Sequence, residues 1–298
     1  MRSGVLLLLV AMSLTPALDG IAKDLGDLYS PLFICFLRYF SAGVLALGIA
    51  SASGTPVTVP REDRFGQVFR TALMMAAMTA LIAALGMVPM ANAVGGFLIA
   101  PVVATLLSVV LLGEAMTLPK LAGSLVSFLG AFLIMRPEGG LETGTILAMA
   151  GGVLLGCYLA ATRAAPPSSG PLVTLVVQSL LGSALIAPFV FSQGVPEISP
   201  ALFLGALGLG GLSAASHFLT VAAYSRAEAS VLSPFLYFNL LASVAAGFFW
   251  FGELPNMVSV LGLTGIAAGG LLTIVPIRAI LVRWTVQLRA DSTARAGN

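Results

Sequence analysis

The chain has 298 residues, 58% of them hydrophobic and only 9% charged, with a net charge of +2 and a mean hydropathy of +1.04. Soluble domains carry about 25% charged residues, and no water-soluble fold of this size hides so much apolar surface, so the composition describes an integral membrane protein. The small net charge and the lack of any DNA- or RNA-binding motif exclude a nucleic-acid partner. The two cysteines, Cys35 and Cys157, lie inside apolar runs without metal-ligand or disulfide-framework spacing; they read as small buried hydrophobes, and no metal or cofactor is expected.

Ten runs are candidates for membrane-spanning helices, each needing about 20 apolar residues. Strands of a membrane barrel would alternate polar and apolar residues. These runs are continuous, so the expected fold class is all-α. The first, 3–19, belongs to the stretch MRSGVLLLLVAMSLTPAL, which also has the layout of a signal peptide. The internal repeat described below requires it as a helix of the mature protein. Asp19, near its end, is the best acidic candidate for proton coupling. The second, 31–50, carries Arg38 about two turns in. A side chain this long can snorkel to the interface or pair with Asp19, Asp24 or Asp27, and structural pairing is the favoured reading. In the third, 68–88, Met74, Met75 and Met78 offer a flexible, polarizable wall, or simply core.

The fourth run, 91–112, holds Phe97 as a candidate cavity aromatic. It also holds a small-residue ridge, Gly96, Ala100, Ala104 and Ser108, suited to close helix packing. It ends in Gly113-Glu114, and the fifth run, 117–136, follows. The sixth, 143–163, repeats the ridge as Ala148, Gly152, Gly156 and Ala160 and carries Tyr158, a second aromatic candidate. The seventh covers 171–192. The eighth, 200–223, has the clearest polar set: Ser213, His217, Thr220 and Tyr224, spaced four, three and four apart and therefore on one face. His217 is the only histidine in the chain. It reads equally as a substrate or proton-sensitive group and as a histidine bonded to a neighbouring helix. The ninth, 228–251, contains SPFLYFN, where Pro234 removes a backbone hydrogen bond and Phe235, Tyr237, Phe238 and Asn239 follow near the midplane. An aromatic ring and an amide suit a substrate with an apolar body and a polar head; aromatic packing between helices is the alternative. The tenth is 256–277.

Displacing the chain on itself by 139 residues puts Gly113-Glu114 on Gly252-Glu253, Gly123 on Gly262, Gly130 on Gly269 and Pro137 on Pro276. A displacement of 140 puts Lys23 on Arg163, Pro31 on Pro171 and Gly4 on Gly144. The chain therefore divides into a five-helix repeat at 1–138, a second at 139–280 and a tail at 281–298. Five is odd, so the second repeat enters the membrane from the opposite side and the two are inverted copies. Inverted repeats around a midplane site are the architecture of alternating-access secondary transporters. With both termini on one side, eleven Lys and Arg fall on that side, two on the other, and Arg38 lies within a helix. The excess puts both termini in the cytoplasm and the chain in the inner membrane. In each Gly-Glu, glycine ends the fourth helix of its repeat. Glu114 and Glu253 are then placed as structural helix caps, accepting from the first amides of the next helix.

Ten helices, the five-plus-five repeat and the endings from Pro101 to Glu114 (PVVATLLSVVLLGE) and from Tyr237 to Glu253 (YFNLLASVAAGFFWFGE) resemble the drug/metabolite transporter superfamily in its EamA-like branch. LRYF at 37–40 is similar to the family's arginine-bearing second helix. The resemblance covers essentially the whole chain. It implies export or exchange of small metabolites by alternating access, through a central cavity lined largely by the first, third and fourth helices of each half. Within the family the chain looks most like bacterial exporters of amino acids, aromatic ones included; nucleobases and drugs are the alternative substrates. The second half departs from the pattern, with Leu240 opposite Pro101, which weakens any symmetric gate.

The candidate substrate-cavity residues are thus His217, Ser213, Thr220, Tyr224, Phe235, Tyr237, Asn239, Tyr158, Phe97 and Met78, with Asp19 and His217 as candidates for proton coupling. An enzyme is not expected: there are no paired buried carboxylates or metal cluster, and Ser213 or Ser216 with His217 on one helix is no catalytic geometry. The chain lacks a P-loop and so does not drive transport by its own ATP hydrolysis. A channel or a non-transporting scaffold is the remaining alternative.

Overall fold

The computed structural model describes residues 2–26, 28–88, 90–135, 142–165, 170–192, 194, 199–251 and 257–274. Among these there is no strand. Twelve α-helices run in order: α1 Arg2–Gly26, α2 Pro31–Ala52, α3 Arg64–Leu85, α4 Met90–Phe97, α5 Ala100–Leu112, α6 Leu118–Met135, α7 Thr143–Arg163, α8 Pro171–Phe191, α9 Pro200–Tyr224, α10 Ala229–Leu236, α11 Phe238–Phe251 and α12 Met257–Ile274. Seven spans are long and apolar enough to cross a membrane, and three shorter apolar stretches, Leu118–Gly130, Ala229–Ser243 and Val260–Gly269, bring the total to the ten read from the sequence. Exposed Leu, Phe, Val and Ile side chains ring the outside, as in Leu6, Phe40, Leu111, Phe189 and Leu204. That surface suits lipid rather than water.

Twelve helices make ten spans because two spans are broken. The fourth is α4 and α5, interrupted at Leu98-Ile99; the ninth is α10 and α11, interrupted at Tyr237. The ends of α4 and α10, Phe97 and Leu236, are 139 residues apart, the offset of the repeat. The causes differ. Pro101 stands in the first turn of α5 and cannot donate to Phe97, whereas Pro234 lies inside α10 and cannot donate to Ser230. At both breaks the chain turns more tightly, with the Ile99 amide donating to Gly96 and that of Leu240 to Tyr237. The departure of Leu240 from proline has therefore not removed the break in the second half.

Contacts between helices repeat with the same symmetry. α1 lies along α9 as α3 lies along α7, and α2–α8 and α6–α12 pair across the pseudo-twofold axis. The last pair is the tightest. A Cβ on Gly130 would sit 2.5 Å from the Gly262 carbonyl oxygen, and one on Gly269 would sit 2.5 Å from that of Gly123. These four glycines are among those that coincide when the chain is displaced by 139. Each lies opposite the other's counterpart because the axis passes between them, and only glycine lets two backbones come so close. The small-residue ridges also meet: Gly96 packs on Thr145 and Ala148, and Gly156 on Ala100 and Val103.

Gly113 ends α5 with φ of +65°, the left-handed conformation that glycine adopts without strain. That turn redirects the chain and places Glu114.

Packing at the axis gives a direct test. Gly130→Ala is expected to destabilise the detergent-solubilised protein by about 1–3 kcal/mol, since the methyl group has no room. Gly211→Ala, where a Cβ meets nothing within 4 Å, is expected to be neutral or slightly stabilising. Thermal unfolding of the two variants side by side checks this.

Candidate functional site

Where the two breaks approach each other, the helices part around a cavity with about 750 Å³ of atom-free space. That figure includes space open to solvent. α1 contributes Met12, Thr15 and Asp19; α2, Arg38; α3, Met74, Met78 and Leu81. Phe97, Leu98 and Pro101 come from the fourth span, Leu155 and Tyr158 from α7, Ser216, His217 and Thr220 from α9, and Leu236 and Asn239 from the ninth span. The first, third and fourth spans of both halves thus meet here.

Of the sequence-derived candidates, His217, Thr220, Asn239, Tyr158, Phe97, Met78 and Asp19 line this cavity. Ser213, Tyr224, Phe235 and Tyr237 do not. Tyr224 lies seven residues beyond His217, about 10 Å along the helix. There α9 has passed the cavity floor, and the ring is packed among Val5, Leu8, Val231 and Phe235. A helical stripe shares a face but not a depth. Tyr237 is fully buried with Val94, Leu98 and Leu240. Ser213 is covered by Arg38, whose Nε donates to its hydroxyl over 3.0 Å.

Arg38 is the largest correction. It does not reach the interface: it is buried, lines the cavity and forms no ion pair among the described residues. Asp19 is also buried, and its Oδ2 has no hydrogen-bond partner among them. Asp27 lies outside the described residues, as does Glu253.

A second feature escaped the sequence reading. Gln178 of α8 and Gln67 of α3 form a chain of hydrogen bonds leading from the start of α3 to the cavity. Arg70 donates to both oxygens of Asp63, at 2.8 and 3.1 Å. The Gln67 amide donates to Asp63 (3.1 Å), and the Gln178 amide donates to the Gln67 carbonyl oxygen (3.2 Å). The Gln178 oxygen is left facing Tyr158 Oη and His217 Nε2, each 3.2 Å away. A carboxylate only accepts hydrogen bonds, so ionised Asp63 sets the direction of both amides. Tyr158 donates to the Gln178 oxygen; His217 Nε2 lies 3.2 Å from both that oxygen and Tyr158 Oη, an arrangement that favours the tautomer with the proton on Nε2. Lone amides in apolar spans were the available signal.

Glu114 completes the picture at the face that carries the N-terminus. It accepts from the amides of Ala229 (3.3 Å) and Ser230 (3.1 Å) and from Arg163 Nε (3.0 Å). It caps α10, in the other half, rather than the next helix in sequence. Lys120 adds a second tie, pairing with Glu228 and donating to Ser230 Oγ at 3.0 Å. Burial alone would raise the pKa of Glu114. The Ser230 amide, Arg163 and the further donors outweigh it and hold the carboxyl below the usual glutamate range. On the opposite face a second hollow, about 960 Å³ including open solvent, is bounded by Ala22, Lys23, Pro31, Leu85 and Val88.

The family model for the EamA-like transporter family matches residues 2–136 and again 142–275. The chain belongs to this family. It is a multi-pass membrane transporter by that membership, and its curated relatives are named as transporters rather than enzymes. A Rickettsia conorii S-adenosylmethionine uptake transporter is 23% identical over 256 residues, covering 85% of this chain and 86% of that protein. A Brucella anthropi riboflavin transporter is 27% identical over 237 residues, covering 76% and 81%. A solved crystal structure superposes with a TM-score of 0.77 at 18% identity, covering 91% of this chain and 98% of that one, which shows the fold. These relatives do not support the expectation of amino-acid export.

Two measurements check the EamA-like site. With one histidine in the chain, ¹⁵N-histidine labelling reports on His217 alone; the Nε2–H tautomer is expected, and Gln178→Leu is expected to abolish that preference. A carboxyl with a lowered pKa in the fold stabilises fully above its ordinary pKa and loses that contribution as pH falls through the lowered value. Thermal stability is therefore expected to fall on acidification, with a smaller fall in Glu114→Gln.

Proposed function

We propose that this protein is a secondary transporter that carries a small metabolite through the cavity at the two breaks by alternating access. The observation that carries the reading is the pair of breaks at matched positions, bordering one cavity lined by both halves. Discontinuous helices of this kind border the midplane sites of inverted-repeat transporters. The repeats are taken as 1–138 and 139–280, with both termini cytoplasmic in the inner membrane, as the Lys and Arg distribution favours.

In this reading the ties from Glu114 and Lys120 hold the cytoplasmic face closed. The hollow near Lys23 is the external approach. Substrate closes that approach while the ties at Glu114 release. Protonation of Asp19 or His217, the titratable side chains on the wall other than Tyr158 and Arg38, would couple transport to a proton gradient. The relatives' printed substrates, S-adenosylmethionine and riboflavin, each carry a ring system and polar groups, and the cavity wall offers both apolar and polar side chains. The substrate is proposed to be a polar metabolite with a ring system, taken up or exchanged.

Counterflow tests this. Purified protein in liposomes loaded with unlabelled S-adenosylmethionine, riboflavin or phenylalanine is expected to accelerate uptake of the same labelled compound for at least one of the first two. A channel would give flux without acceleration by the internal pool, and a scaffold would give none. Replacing both Glu114 and Lys120 by Gln is expected to raise labelling of a cysteine placed at Ser230 from the cytoplasmic side.

A further inference from the structure

Two charged side chains of the cavity wall lie within electrostatic reach of each other but form no ion pair among the described residues. Asp19 on α1 is 2% exposed, and no described residue donates to it. Arg38 on α2 is 7% exposed and spends only Nε, on Ser213; both terminal guanidinium nitrogens lack a hydrogen-bond partner among the described residues. The two line the same cavity but form no ion pair with each other. Removing a carboxylate and a guanidinium from water without pairing them is costly, and a simple structural pair would have closed. Several other polar groups of the wall are engaged: Tyr158 and His217 bond Gln178 and each other, Ser216 donates to the Ala11 carbonyl, and Thr220 donates to the Ser216 carbonyl.

We propose that Asp19 and Arg38 are the two poles of a substrate subsite for a zwitterion, Asp19 taking its ammonium or sulfonium cation and Arg38 its carboxylate. The guanidinium presents NH donors in a fork that fits a carboxylate, and Nε on Ser213 holds that fork in place. The apolar body of the substrate then lies on Met12, Met74, Met78 and Phe97. A polar edge meets Asn239, whose Oδ1 is buried without a partner among the described residues. Sulfur-bearing and aromatic side chains adapt to a ring system or a sulfonium centre. Both poles belong to the first half and Asn239 to the second, so a bound zwitterion bridges the halves. This assignment rests on the carrier reading and narrows it: S-adenosylmethionine has both charges, and riboflavin has neither.

The test separates binding from transport. Thermal stability of the full chain in detergent is measured with S-adenosylmethionine, riboflavin and adenosine as probes. S-adenosylmethionine is expected to raise the melting temperature, and the two uncharged compounds much less. Asp19→Asn and Arg38→Gln are each expected to weaken the apparent affinity for S-adenosylmethionine by about tenfold or more, and Asp19→Glu to keep part of it. Without ligand, Asp19→Asn is expected to melt no lower than the parent chain, because burying the carboxylate costs more than its unclosed attraction to Arg38 returns; a structural ion pair would give the opposite result. The proposal is overturned if S-adenosylmethionine does not stabilise the chain, if adenosine or riboflavin stabilises it equally, or if the shift survives both substitutions. Flux of riboflavin in liposomes alongside such a result would leave the carrier reading intact, whereas counterflow with no compound would remove the carrier reading itself.

Discussion

A bilayer offers no water to a backbone amide, so an interruption in a spanning helix survives only where protein or a wet cavity covers it. That constraint organises this molecule. The fourth and ninth spans are both interrupted, 139 residues apart, and both interruptions face the centre of the bundle. Proline is the means in each case, but at different places: Pro101 after the break in one half, Pro234 before it in the other. The two halves agree more closely in where the helix stops than in the residue that stops it. Freed from regular helix geometry, the chain at the centre can present Phe97, Leu98 and Asn239 to a space between the halves.

The same lack of water explains how charge is used. Toward the N-terminal face, carboxylates and cations are matched and tied across elements: Asp63 with Arg70, Glu114 with Arg163, Lys120 with Glu228. In the cavity Asp19 and Arg38 close no ion pair with any described residue. The contrast is between charges that tie elements together and charges that do not. The Gln67–Gln178 chain joins the two regions, and its direction is imposed from the Asp63 end. Neutral amides can therefore carry orientation, though no net charge, into the membrane.

Most of the architecture was legible in the sequence. Apolar runs marked all ten spans, and the displacement that aligned Gly123 with Gly262 and Gly130 with Gly269 named the four residues that meet on the axis. The breaks were only half legible, because a proline shows that one hydrogen bond is missing but not whether the helix bends or stops. The cavity was harder. The four-three-four stripe on the eighth span identified a shared face correctly, but a stripe has no depth, and so Tyr224 and Ser213 were grouped with His217. Arg38 was misread for a related reason. Snorkelling is the usual fate of an arginine two turns from an interface, and only the surrounding helices show that Ser213 and the cavity hold it inward. Gln178 makes the same point from the other side, since a lone amide in an apolar span announces a partner without naming it.

The seam Gly113-Glu114 shows how a local signal acquires a non-local function. Glycine is required there by the positive φ that ends α5, and a carboxylate next to it would be expected to cap whichever helix begins nearby. Proximity along the chain favours α6. Proximity in space favours α10, because the inverted arrangement brings the end of the fourth span to the start of the ninth, and Arg163 at the end of α7 to the same point. A carboxylate that capped its own neighbour would stabilise one repeat and be indifferent to the other. Placed as it is, Glu114 stabilises only the arrangement in which the two halves meet on this face. Its hydrogen bonds therefore favour that arrangement over any in which the halves part on this face, which a capping contact within one repeat could not do.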